Sequence, residues 1–182
     1  PFRGNYSPSK VGPRNVPTDE TIIRYRETLT NPAWRWVYSI MATYGLRNHE
    51  VFHLDLGNFP IVRVKEQTKT GSREVWPCYP EWAEDWRLDQ VELPPVDLER
   101  TNDKLGHSVT EYLSPKLPFT PYDLRHAWAI RTLEFGWPDA LSAQQMGHSL
   151  EVHNRTYQRW ITTRHHQRVY DLLVNREDRP RP

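Results

Sequence analysis

Ile61-Val62-Arg63-Val64-Lys65-Glu66-Gln67-Thr68-Lys69-Thr70-Gly71-Ser72-Arg73-Glu74-Val75-Trp76-Pro77 is the stretch that decides the fold class. Apolar β-formers dominate residues 61–64, Thr70-Gly71-Ser72 supplies turn chemistry, and a second short run, Glu74-Val75-Trp76, is closed by Pro77. The pattern predicts a β-hairpin with Lys69 close to its tip. On either side of it the apolar residues recur at spacings of three and four, so the expectation is a mainly helical α+β domain with one small antiparallel sheet.

Upstream of the hairpin, Asn31-Pro32 opens a helix carrying Trp34, Val37, Ile40, Met41 and Tyr44, and Gly45 ends it. Before that, Pro17-Thr18-Asp19-Glu20 offers a capped start for Ile22, Ile23, Tyr25 and Leu29. Downstream, Pro80-Glu81-Trp82 starts a short helix through Leu88, and Asn102 opens another reaching about Tyr112. Asp123 to Phe135 places Leu124, Trp128, Ile130 and Leu133 on a helical pattern ended by Gly136, and Pro138 begins the next helix, which reaches Met146. Further helical stretches cover Val152 to Ile161 and Thr163 to Val174. The Pro-, Gly- and Ser-bearing residues 1–16 read as an arm or linker, residues 17–174 as the domain and 175–182 as a polar tail. A chain that opens with Pro1 is expected to continue a longer protein whose N-terminal portion is missing.

At 182 residues the chain is long enough for one domain with its own core. With 37% hydrophobic residues, a mean hydropathy of −0.82 and no apolar run near the roughly 20 residues that a bilayer requires, no membrane partner is expected. Cys78 is the one cysteine, which excludes an internal disulfide framework. Net charge is +1 but unevenly spread: residues 81–100 hold seven acids against two arginines, which leaves 22 bases against 16 acids, a net of +6, elsewhere. A polyanion responds to such local charge, although surface scatter accounts for the distribution equally well.

Two constellations carry chemistry. His49-Glu50-Val51-Phe52-His53 is an HExxH pattern, which on a helix would put two imidazoles on one face for zinc with the glutamate as base. Gly45 and Leu54-Asp55-Leu56-Gly57 leave it only about two helical turns, with no evident third ligand, and the alternative is a pair of surface or half-buried histidines. The second constellation is scattered: Arg47, Lys69, Arg125, His148 and Tyr157. Two guanidiniums can clamp the non-bridging oxygens of one phosphate, His148 can add a hydrogen bond, a tyrosine hydroxyl can capture phosphorus covalently, and a hairpin lysine can protonate the departing oxygen. Glu50 can fix the Arg47 guanidinium, a second explanation for the glutamate of the HExxH pattern.

In order and spacing these residues resemble the tyrosine recombinases, the phage-integrase family of DNA strand-exchange enzymes. Thr43-Tyr44-Gly45-Leu46-Arg47-Asn48-His49-Glu50 resembles the family's first arginine motif, and Thr68-Lys69-Thr70-Gly71 with the following strand its lysine hairpin. Asp123-Leu124-Arg125-His126-Ala127 resembles the second arginine box, Gly147-His148-Ser149 the second histidine, and Tyr157 the nucleophile. The resemblance implies a helical catalytic core that cuts and rejoins double-stranded DNA through a 3′-phosphotyrosine intermediate without a cofactor or metal. It also implies an upstream DNA-clamping domain and a tetramer on DNA assembled through the C-terminal helix. In a prokaryote or phage it would act in the cytoplasm, on the nucleoid.

One position departs from the family. Tyr122 stands three residues before Arg125, where the family usually has histidine or lysine, and a phenol, with an ordinary pKa of about 10, shuttles protons poorly at neutral pH. Tyr122 is therefore expected to donate a hydrogen bond to the phosphate, and a catalytically weakened DNA-binding relative stays open as an alternative, with the zinc hydrolase behind it. Arg73 beside the hairpin is expected to touch DNA, and so are Arg155 and Arg159, which belong to a basic C-terminal stripe with His153, Arg164, His165, His166 and Arg168.

Overall fold

The computed structural model describes residues 16–65, 71–157 and 163–181. Eight helices surround a three-stranded antiparallel sheet in the described residues: α1 Asp19–Thr28, α2 Pro32–Tyr44, β1 Leu54–Asn58, β2 Ile61–Val64, β3 Arg73–Val75, α3 Pro80–Asp85, α4 Asn102–Leu113, α5 Asp123–Glu134, α6 Asp139–Met146, α7 Leu150–Tyr157 and α8 Thr163–Val174. This is the mainly helical α+β architecture that the apolar spacing predicts.

The helix α2 is the axis of the domain. Pro32 sits in its first turn, the Asn31 side chain accepts the Trp34 backbone N–H at 3.1 Å, and every residue from Trp36 to Tyr44 is buried. It packs against α1, α3, α4 and α5. Its buried tyrosines find carbonyls, Tyr38 on Ile22 at 3.0 Å and Tyr44 on Pro60 at 2.8 Å, so their hydroxyls are not left unsatisfied in the core. Gly45 stops the helix in the left-handed region, φ +63°, where a Cβ would lie 2.7 Å from the Trp128 ring of α5. Close approach of α5 thus requires glycine at this position.

The strands β2 and β3 are the predicted hairpin, with Val62 opposite Val75 and Val64 opposite Arg73. Val62, Val64, Arg73 and Val75 face inward, while Arg63 and Glu74 face solvent and pair at 3.1 Å. The predicted tip, residues 66–70, lies outside the described residues, and Lys69 with it. A third strand, β1, pairs with β2 where the sequence reads as a stop. The helix expected to run through Leu88 ends at Asp85, and Arg87 turns the chain with φ +50°. The cap of α4 is Thr101, whose side chain accepts the Lys104 N–H at 3.4 Å, one residue before the expected start. Among the described residues no helix is long and apolar enough to cross a membrane.

Candidate active site

The site is assembled at the ends of α2, α5 and α6, with β3 behind it. After Gly45 the chain turns sharply, so Arg47 lies beyond the helix and Glu50 begins a single 3-10 turn, Glu50–Phe52. Glu50 is wholly buried. Its Oε1 accepts Arg47 Nη1 at 2.7 Å, and its Oε2 accepts the Arg47 backbone N–H at 2.8 Å and Arg73 Nη2 at 2.7 Å; Arg125 Nη1 stands 3.9 Å away. Burial alone would raise this carboxyl, but Arg125, Arg73 and Arg47 outweigh it and hold it down to about 2. Glu50 therefore holds the guanidiniums of Arg47 and Arg73 by hydrogen bonds and lies in ion-pair range of Arg125.

This arrangement removes the geometric basis of the HExxH reading. His49 and His53 do not share a helical face, because the segment is a turn and a 3-10 turn rather than an α-helix. The glutamate needed as base is consumed by arginines, and His53 Nε2 lies 2.8 Å from Asn102 Oδ1. Among the described residues no group of three His, Cys, Asp or Glu side chains is disposed to hold a metal ion.

Arg125 is fully buried at the first turn of α5. Its Nη1 donates to the Gly45 carbonyl at 2.7 Å, its Nη2 to the Met146 carbonyl, and Nη2 is 3.1 Å from His148 Nε2. Arg47 Nη2 reaches the Gly147 carbonyl at 3.2 Å. Residues 146–148 thus join both arginines. A guanidinium has no acceptor, so His148 Nε2 must accept and the ring proton sits on Nδ1, which has no hydrogen-bond partner among the described residues. Burial, then the charges of Arg125 and Arg47, push His148 down to about 3. It is a neutral imidazole at physiological pH.

Arg73, expected on the DNA-facing surface, is turned inward instead: Nε donates to the Gln145 carbonyl at 2.6 Å and Nη2 to Glu50. Three guanidiniums thus converge on one carboxylate in a largely desolvated cluster. Such a concentration of forked, positively charged donors is suited to an anion with several oxygens.

Tyr157, at the end of the described part of α7, is 1% exposed, and its Oη lies 2.9 Å from His126 Nδ1. Tyr122 immediately precedes α5, its ring edge-on to His126 with centroids 5.2 Å apart. Tyr122 and Tyr157 both lie within electrostatic reach of Arg125. The structure therefore brings Arg47, Glu50, Arg73, Tyr122, Arg125, His148 and Tyr157 into one region. Arg155 is exposed, whereas Lys69 and Arg159 lie outside the described residues. His153, expected on the basic stripe, is instead buried between His148 and Tyr157, with ring centroids 6.4 and 4.8 Å away. His126 carries no sequence signal beyond following Arg125; its contact with Tyr157 spans 31 positions.

No family model matches the chain. It is 33% identical to Excisase A of Nostoc sp. (strain PCC 7120 / SAG 25.82 / UTEX 2576) over an alignment of 186 residues covering 82% of the chain and 39% of that protein. It is 33% identical to Excisase C of the same organism over 162 residues, covering 79% of the chain and 32% of the relative. The chain thus spans about a third of the length of these relatives. In fold it is similar to the crystal structure of XerA recombinase, with TM-score 0.56 and 20% identity over 95% of the chain and 67% of the other. The chain is a tyrosine recombinase-like domain.

Proposed function

We propose that this domain cuts and rejoins double-stranded DNA through a covalent 3′-phosphotyrosine. The observation that carries the reading is the convergence of Arg47, Arg73 and Arg125 on Glu50, which concentrates guanidinium donors beside His148 in the same region as Tyr157. A scissile phosphate accepts from those donors, and the preorganised guanidiniums stabilise the further charge that develops as phosphorus becomes five-coordinate. His148 Nδ1–H supplies another donor. Tyr157 Oη attacks, and the leaving 5′-oxygen takes a proton from Lys69. Energy conserved in the phosphotyrosine bond lets a second 5′-hydroxyl reverse the reaction without an external energy source.

Names of the Nostoc relatives favour excision as the biological outcome. Assembly on DNA uses α8, which rests on α5 of its own chain near Gly136 through Val169 while Tyr170, Leu172 and Leu173 stay exposed. That exposed apolar face is available to a neighbouring copy.

The test uses duplexes selected from a randomised pool for binding to the chain and then nicked next to the cleavage position, so that cleavage traps protein on DNA. Wild type is expected to form an adduct that maps to Tyr157, and Tyr157→Phe to form none while binding within a few fold of wild type. Binding without an adduct identifies a DNA-binding relative instead, and an adduct on Tyr122 or Tyr170 overturns the assignment of the nucleophile.

A further inference from the structure

We propose that His126 is the general base that takes the phenolic proton of Tyr157 during strand cleavage, and the acid that returns it on rejoining. The inference rests on the recombinase reading above and adds to it the group that activates the nucleophile.

The geometry is direct. His126 Nδ1 lies 2.9 Å from Tyr157 Oη, within the 2.6 to 3.2 Å reach of a working base. In the tautomer carrying its proton on Nε2, the ring accepts Oη–H at Nδ1. The ring is held from two sides, by Tyr122 edge-on from its own helix and by the tilted Tyr157 ring from α7, with centroids 5.2 and 5.8 Å away. Arg125 lies within electrostatic reach of both phenols.

The other titratable groups of the site are occupied or unsuited. Glu50 is bound by Arg47 and Arg73 and stays ionised. His148 accepts from Arg125, and the burial and positive charge that push it down to about 3 make it too weak a base for a phenol. The His153 ring is tilted against that of Tyr157, yet among the described residues neither of its ring nitrogens has a hydrogen-bond partner. Tyr122 is itself a phenol. Where a histidine would be expected three residues before Arg125 the chain has Tyr122, and an imidazole stands four residues later, in the first turn of α5. His126 supplies what that position lacks.

The step balances without any additional reactant. The Oη–H bond of Tyr157 breaks and its proton passes to His126 Nδ1. The Oη–P bond forms, the P–O5′ bond breaks, and the departing oxygen is protonated by Lys69. In rejoining, the His126 imidazolium returns the proton to Tyr157 as the tyrosyl oxygen leaves.

The experiment is single-turnover adduct formation on the selected nicked duplexes, across pH, by wild type, His126→Asn and His126→Ala. Asparagine can place its amide oxygen near the position of Nδ1 and keep the hydrogen bond to Oη, yet it cannot take a proton. His126→Asn is therefore expected to lose about 10²- to 10⁴-fold in rate, with DNA binding unchanged and the acid-side fall of the wild-type pH profile abolished. Added imidazole is expected to restore part of the rate to His126→Ala. His126→Asn cleaving within a few fold of wild type, with the adduct on Tyr157, overturns the role of His126 and leaves the recombinase reading intact. Wild type that binds these duplexes and forms no phosphotyrosine overturns both.

Discussion

Arg73 Nη2 donates to Glu50 Oε2 at 2.7 Å, and through that bond the strand leading away from the Lys69 hairpin is tied to the carboxylate that also fixes Arg47. A β-strand, a 3-10 turn and the Gln145 carbonyl of α6 meet at one guanidinium. Breaking such a buried pair from one side leaves charge without a partner and costs about 3–5 kcal/mol.

Glu50→Gln is therefore expected to destabilise the domain by about 3–5 kcal/mol in urea unfolding at pH 7. The pH dependence has a definite sign. The folded carboxyl is held near 2 against an ordinary 4.5, so its stabilisation is complete above about 4.5 and is lost as pH falls toward 2. Wild type should show that loss, and Glu50→Gln should unfold with a flatter acid limb over the same interval.

His148 is expected to stay neutral where most histidines titrate. Its folded value near 3 lies below the ordinary 6.5, so the unfolded chain binds the proton first and stability falls as pH drops from about 6.5 toward 3. Imidazole resonances followed by NMR should show no His148 titration between pH 5 and 8. A His148 midpoint near 6.5 would mean that the Arg125 contact is not made in solution.

Gly45→Ala should unfold the domain more easily by roughly 2–5 kcal/mol, combining the cost of a left-handed non-glycine residue with overpacking against Trp128. A melting curve within error of wild type would place α2 and α5 farther apart than the structure has them.

Legibility in the sequence followed the strength of local signals. Residues 31–45 and 123–136 were readable because a capping Asn31, an N1 proline and C-terminal glycines bracket apolar residues at helical spacing. The strand β1 was not, because only Leu54 and Leu56 of its five residues are partly buried and the alternation is too short to register. Arg73 carried a usable signal that went unread: it lies two residues before the inward-facing Val75, and a period of two puts both on one face. The HExxH pattern misled because five residues cannot show that Gly45 has already ended the helix. His126 carries no role in the sequence and His153 reads there as part of an exposed basic stripe, because the contacts between α5 and α7 that define both exist only after the chain folds.

Tyr122 is expected to contribute a hydrogen bond to the phosphate rather than take a proton. It sits at the start of α5, within electrostatic reach of Arg125, and its ring contacts the His126 that bonds Tyr157. Removing one donor from a preorganised oxyanion site costs roughly 2.7–4 kcal/mol, so Tyr122→Phe should slow single-turnover cleavage of a nicked duplex about a hundredfold or more. Tyr122→His, which restores the imidazole usual at this position, should cleave at least as fast as wild type. Phenylalanine keeps the aromatic edge against His126 and removes only the hydroxyl, so the comparison isolates that one group. Equal rates for wild type and Tyr122→Phe would leave Arg47, Arg125 and His148 to hold the phosphate, with Tyr122 serving only to pack against His126.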